Sequence, residues 1–104
     1  MLNTHPNTIE HVPAYNWESW RDDNEAVVID VREPLEWTSG TLPDSLTISL
    51  TSLPAAASTM DKETPVLLVC ATGVRSVTAA AWLASMGFTK VASMAGGVVA
   101  LGYR

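Results

Sequence analysis

Two short runs of the chain lack the polar alternation of a surface strand. Val27, Val28 and Ile29 lead through Asp30 to Val31, and Val66, Leu67, Leu68 and Val69 lead to Cys70. Runs so short and so apolar predict strands over 27–31 and 66–70, covered on both faces as in a parallel sheet between helical layers. Positions 45–50 alternate instead. Leu46, Ile48 and Leu50 stand among Ser and Thr, which predicts a strand exposed on one side. A last short strand is expected over 90–94, broken by Gly96 and Gly97.

Helical signals fall between these strands. Tyr15, Trp17 and Trp20 among polar residues predict a short amphipathic helix over 15–23, with its tryptophans packing a core or lid. Glu33 and Pro34 open a helical turn through Glu36 and Trp37, since proline fits a first turn, and Gly40 ends it. Positions 54–60 predict a weak alanine-rich helix, 61–65 a turn and 98–103 a final short helix. The strongest helical run is 74–86. Positions 76–89 carry no charge, so this helix is either buried or covers a partner surface. Strands alternating with helices predict an α/β architecture around a mostly parallel sheet. The 104 residues suit one domain, 1–104.

Composition narrows the chemistry. Hydrophobic residues are 47% of the chain, enough for a real core. The net charge of −5 argues against a nucleic-acid partner. All eleven acids lie at or before Glu63, whereas the segment after it carries Arg75, Lys90 and Arg104 and no acid. One cysteine excludes an intramolecular disulfide framework and any multi-cysteine metal site. His5 and His11 lack partners at ligand spacing and read as surface residues, so no metal is expected. Positions 1–10 have no apolar core of a signal peptide, and no run reaches the ~18 apolar residues of a membrane span. The expectation is a cytoplasmic protein with no membrane partner, its thiol kept reduced.

Cys70 then becomes the centre of interest. It ends a buried strand, and Ala71, Thr72, Gly73, Val74, Arg75 and Ser76 follow it into a helix. A thiol facing a helix N-terminus meets unpaired N–H groups and the positive end of a dipole, both of which favour the thiolate. The same donors can cradle an anion. A lone cysteine after an apolar strand is often only a small buried hydrophobe. Gly73, which permits a curve that a Cβ resists, and Arg75, a permanent planar cation, tilt the reading towards chemistry.

The ordered set of motifs resembles the rhodanese family of sulfurtransferases in its small single-domain form, from about Ile9 to Tyr103. It comprises Asp30, Val31, Arg32 and Glu33 after the first strand, Glu36 and Trp37, then Gly40, Thr41, Leu42 and Pro43. The Cys70 loop, Gly87 and Phe88, Val91, and Gly96 with Gly97 complete it. The resemblance implies a five-stranded, mostly parallel sheet flanked by helices on both faces. It implies that Cys70 takes sulfane sulfur from a small anionic donor such as thiosulfate, or from a persulfide, holds it as a persulfide and passes it to cyanide or a thiol. A protein could be donor or acceptor. The N–H groups of Ala71, Thr72, Gly73, Val74, Arg75 and Ser76 would bind substrate, Asp30 and Arg32 would support structure, and no cofactor is implied. Arg75 could contact substrate or brace the loop through Asp30 or Glu33, and Arg32 with Glu36, four apart, reads as a structural pair. The chain departs from the family pattern at Thr41, where His is common, at Ala71, where a base is common, and at Leu101 and Gly102, where Trp is common.

Two other readings compete. Cell-cycle phosphatases share the fold, and a phosphatase or arsenate reductase would use a similar loop, but with five residues between Cys and Arg. Four stand here, which makes the loop small for a tetrahedral phosphate. An interaction or persulfide-carrier module without turnover is the third reading, and the intact Cys70 argues against pure binding.

Overall fold

The computed structural model describes residues 9–104. Five strands, Ile9–Pro13 (β1), Val27–Asp30 (β2), Leu46–Thr47 (β3), Val66–Val69 (β4) and Val91–Ala95 (β5), form one sheet in the order β1-β5-β4-β2-β3. Every neighbouring pair runs parallel. The C-terminal ends of all strands therefore share one edge, and Cys70 leaves β4 at the middle of that edge.

The two apolar runs behave as their pattern requires. In β4 and Cys70 successive side chains enter opposite cores. Val66, Leu68 and Cys70 join Ile29, Val31, Leu53, Leu83 and Phe88 on one face. Leu67 and Val69 join Val28, Trp17, Met94 and Val98 on the other. The first core is closed by helices Leu53–Ala57 (α3) and Arg75–Ser85 (α4), the second by Trp17–Asn24 (α1) and the 3₁₀ turns Ala14–Asn16 and Val98–Leu101. The uncharged helix α4 is thus a wall of the core, with Ala79, Ala80 and Leu83 fully buried. Trp17 is buried and Trp20 half-buried, its Nε1 donating to Glu10 Oε1 at 3.1 Å, so the tryptophans pack rather than stack on a ligand. No helix among the described residues is long and apolar enough to cross a membrane.

Two strand expectations change. The expected strand 45–50 shrinks to the two residues of β3, and Leu46 is exposed. Ile48 and Leu50 still donate to Asp30 O and Val31 O, at 3.0 and 3.1 Å, but β2 turns away there and leaves nothing further to pair with. The chain then coils through the 3₁₀ turn Leu50–Ser52, and Pro54 starts α3. The apolar pattern gave no strand at Ile9–Pro13, yet β1 pairs along its whole length with β5. Its signal is weak because its two aliphatic residues, Ile9 and Val12, lie three apart rather than two. His11 stands exposed on β1, and His5 lies outside the described residues.

After β2 the chain enters the short helix Pro34–Trp37 (α2), closed at its start by a reciprocal capping box between Glu33 and Glu36. Arg32, fully buried, holds this helix in place. Its Nε and Nη2 grip the buried Asp30 carboxylate at 2.8–3.1 Å, Nη2 donates to Gly40 O at 2.7 Å and Nη1 to Glu36 O at 3.3 Å. The expected side-chain pair of Arg32 with Glu36 does not form. Asp30 occupies the guanidinium, and Glu36 offers it only a backbone carbonyl. Removing one member of a buried pair strands the other. Arg32→Ala is expected to lower the unfolding free energy by roughly 3–5 kcal/mol in urea titrations. A loss below about 1 kcal/mol, the range of an exposed pair, would contradict this account.

Candidate functional site

The backbone from Cys70 to Ser76 curls so that its donors turn inward. Gly73 and Ser76 N–H each donate to Cys70 Sγ at 3.2 Å, and the Ser76 hydroxyl lies 3.5 Å from the same sulfur. The N-cap of α4, Val74, makes no side-chain cap. The sulfur takes that place for the helix's first turn, accepting the Ser76 N–H that would otherwise be an orphan. Among the described residues no protein acceptor meets the N–H groups of Val74 and Arg75, which remain as donors at the helix start.

Burial by itself raises the thiol's pKa. Hydrogen bonds from the Ser76 hydroxyl and from the Ser76, Gly73 and Thr72 N–H groups outweigh it, and the net shift is downward. These bonds suit an anion, and the dipole of an 11-residue helix adds to them.

The loop keeps its curvature because the turn after β5 presses on it. Gly97 has φ +65°, and a Cβ there would overlap the carbonyl of Ala71 and the nitrogen of Thr72. Gly73 has φ +95°, and its Cβ would meet Gly96 N at 3.1 Å. Across this glycine contact Val98 N–H donates to Cys70 O at 2.9 Å and Val99 N–H to Ala71 O at 3.0 Å. The loop is therefore bonded at its base to the 3₁₀ turn Val98–Leu101, which follows the strand β4 already pairs with.

Arg75 leans outward. Its two terminal nitrogens form a fork on Glu36, Nη1 to Oε1 at 2.7 Å and Nη2 to Oε2 at 2.8 Å. The brace exists, but its partner is neither Asp30 nor Glu33. Asp30 is taken by Arg32, and the Glu33 side chain caps α2. Folding thus brings a carboxylate to the loop, although the chain beyond Glu63 has none, and the loop's one cation is neutralised in place. The hydrogen bonds from Arg75 hold the Glu36 carboxyl down at about 2, against burial, which raises it. Around this pair the rim is apolar. Leu35 and Val74 are 82% and 71% exposed.

Of the residues singled out in the sequence, Cys70, Gly73 and Ser76 converge on one sulfur. Ala71, Thr72 and Val74 form the rim, and Asp30 and Arg32 sit behind it under α2. Glu36 and Ser93 are the additions. The sequence marks Glu36 as part of the turn after Pro34 and as an i+4 partner of Arg32 but not as the partner of Arg75, because its reach to Arg75 spans 39 positions. Ser93 sits in β5, its Oγ 2.6 Å from Ser76 Oγ, and a serine in a short apolar strand carries no motif.

Residues 15–102 match the family model of the rhodanese-like domain. A sulfurtransferase of Allochromatium vinosum is 32% identical over 79 residues, covering 76% of this chain and 74% of that protein. A tRNA uridine(34) hydroxylase of Chlamydia felis is also 32% identical and covers 89% of this chain, but this chain spans only 31% of its length. The human single-domain sulfurtransferase superposes with a TM-score of 0.76 at 23% identity, over 86% of this chain and 92% of the other.

The Glu36–Arg75 pair gives a pH signature. A carboxyl depressed in the fold contributes stability that is complete above its unfolded value of ~4.3 and is lost as pH falls through about 2. The difference in unfolding free energy between wild type and Glu36→Gln is expected to shrink as pH drops from about 4.5 towards 2. Urea titrations across that window that gave a constant difference would refute the pair's contribution.

Proposed function

The chain belongs to the rhodanese-like domain family, and from that premise we propose that it is a sulfurtransferase whose Cys70 carries sulfane sulfur as a persulfide. The observation that carries this reading is a buried sulfur that accepts two backbone N–H bonds at a helix start and whose pKa is lowered. Residues 1–104 act as one unit in a reducing compartment such as the cytosol, where the thiol is available.

The nucleophile of the proposed reaction is the Cys70 thiolate, the form that the hydrogen bonds to Sγ favour. In the first half, the Cys70 thiolate attacks the outer sulfur of a donor. With thiosulfate, the S–S bond breaks and sulfite leaves with its electron pair. With a persulfide anion, a thiolate leaves. Either way Cys70 becomes Cys–S–S⁻, and charge and oxidation state balance. In the second half, cyanide or a thiolate attacks the outer sulfur and the Cys70 thiolate returns. The N–H groups from Ala71 to Ser76 hold the anionic sulfurs where charge collects. Arg75, Asp30 and Arg32 keep the loop in shape.

The donor we favour is a persulfide rather than free thiosulfate. Thiosulfate is a dianion, and this rim offers it no unpaired cation, since Glu36 holds Arg75 and position 71 is alanine. The apolar rim of Leu35 and Val74 suits the organic part of a low-molecular-weight or protein persulfide. A phosphatase reading is disfavoured by the four-residue spacing from Cys70 to Arg75 and by the glycine contact that keeps the loop tight.

Two outcomes follow. Cys70→Ser is expected to fold and to gain no sulfur, whereas the intact mass of wild type rises by one sulfur atom on donor treatment and falls back with cyanide. Substantial thiosulfate:cyanide turnover by Cys70→Ser would refute the mechanism. Wild type is expected to show a high thiosulfate KM, and Ala71→Arg to lower it severalfold with a smaller change in kcat, because added charge acts mainly on ground-state binding. Steady-state kinetics that left KM unmoved would show that rim charge does not choose the donor.

A further inference from the structure

Four polar or charged residues of the described chain are fully buried: Asp30, Arg32, Ser76 and Ser93. The first two satisfy each other. The serines form a line that ends on the cysteine, with Ser93 Oγ 2.6 Å from Ser76 Oγ and Ser76 Oγ 3.5 Å from Cys70 Sγ. Ser93 lies on the same face of β5 as Val91, towards α4, in a position where alanine or valine would bury no hydroxyl.

The direction of this line follows from counting protons. Ser93 Oγ has one partner, Ser76 Oγ. If Ser76 donated to Ser93, the Ser93 proton would be buried without an acceptor, at the cost of an unmade bond. Ser93 therefore donates, and the single proton of Ser76 is left to point at Sγ. The neutral thiol would donate its own proton to Ser76 Oγ across the same 3.5 Å; with Ser93 donating, that contact reverses, and the sulfur receives the Ser76 proton together with the N–H bonds of Gly73 and Ser76. A sulfur-bound proton would have no acceptor left in this arrangement, so every donor is used only when the sulfur is an anion. A hydroxyl that accepts one hydrogen bond also donates its own more strongly.

We propose that Ser93 is a positioning residue: by donating to Ser76 Oγ it aims the Ser76 hydroxyl at Cys70 Sγ and holds that sulfur as a thiolate. The proposal deepens the sulfur-transfer reading and rests on it only for the use to which the thiolate is put. The ionisable groups on the elements around the thiol are Arg75 on α4, Glu33 and Glu36 at α2, and the Asp30–Arg32 pair after β2. Neither β5 nor the turn behind it, through Gly102, carries any. None of these groups lies on the hydroxyl line.

The test is the rate of iodoacetamide alkylation of Cys70, the only cysteine, against pH in the full chain. Four proteins are compared: wild type, Ser93→Ala, Ser76→Ala and the double variant. Ser93→Ala removes one oxygen. It is expected to raise the inflection by roughly half a unit, the cooperative share of one bond to a charged group. The plateau rate at high pH should be unchanged. Ser76→Ala is expected to raise the inflection further, by roughly one to two units, and adding Ser93→Ala to it should move nothing more. Ser93→Ala with an unmoved inflection, or with only a lower plateau, would overturn the proposal, and so would equal Ser93→Ala shifts with and without Ser76. Alkylation needs no sulfur donor. A wild type that transferred no sulfur would defeat the sulfurtransferase reading while leaving this result intact.

Discussion

The buried ion pair of Asp30 and Arg32 is the constraint from which the site's outer half is built. A charge pair with no exposure is costly to desolvate, and it persists only when every remaining donor finds an acceptor. Here the guanidinium reaches past Asp30 to the carbonyls of Glu36 and Gly40, so satisfying the pair also fixes the helix after β2. With α2 fixed, the Glu36 carboxylate stands where its fork with Arg75 can form, and Arg75 lies five residues beyond the cysteine. A pair that contributes little net stability on its own thereby sets the position of a charge on the rim of another strand's loop.

The inner half rests on a different force, close approach of backbone to backbone. Gly73 and Gly97 let the turn after β5 lie directly on the Cys70 loop, and two main-chain bonds hold it there. Side chains would have kept these segments apart. The result is a ring of N–H donors around one sulfur, assembled from strand ends that the parallel topology brings to a single edge. Stabilisation of the sulfur anion comes from fixed dipoles and short hydrogen bonds at the helix start, while the one nearby cation is spent on its own carboxylate partner.

The parts legible in the sequence are those with local signatures. The two apolar runs, the helical turn opened by Glu33 and Pro34, the uncharged helix and the Cys70 loop are each written within a few consecutive positions, and each formed. The edge strands were harder. β3 ends early because β2 turns away beneath it, a fact about another segment, and β1 pairs through its backbone with little apolar patterning of its own. The partners of the charged residues are likewise set by the fold rather than by spacing in the chain. A spacing of four suggests Arg32 with Glu36, but burial beside Asp30 decides the contact, and Arg75 finds its carboxylate 39 positions away. Ser93 carries no local signal at all, since its importance lies wholly in what stands across the sheet.

The groups that grip the sulfur are nearly all main-chain atoms, and that separates two properties usually entangled in enzymes. Substitutions at Ala71, Thr72 or Val74 alter what the rim presents to an incoming molecule without deleting a single backbone donor. The outward side chains of this loop can therefore drift between partners over evolutionary time while the reactivity of the sulfur is inherited unchanged. The glycines behind the loop have no such latitude, because they are the mould in which it is cast.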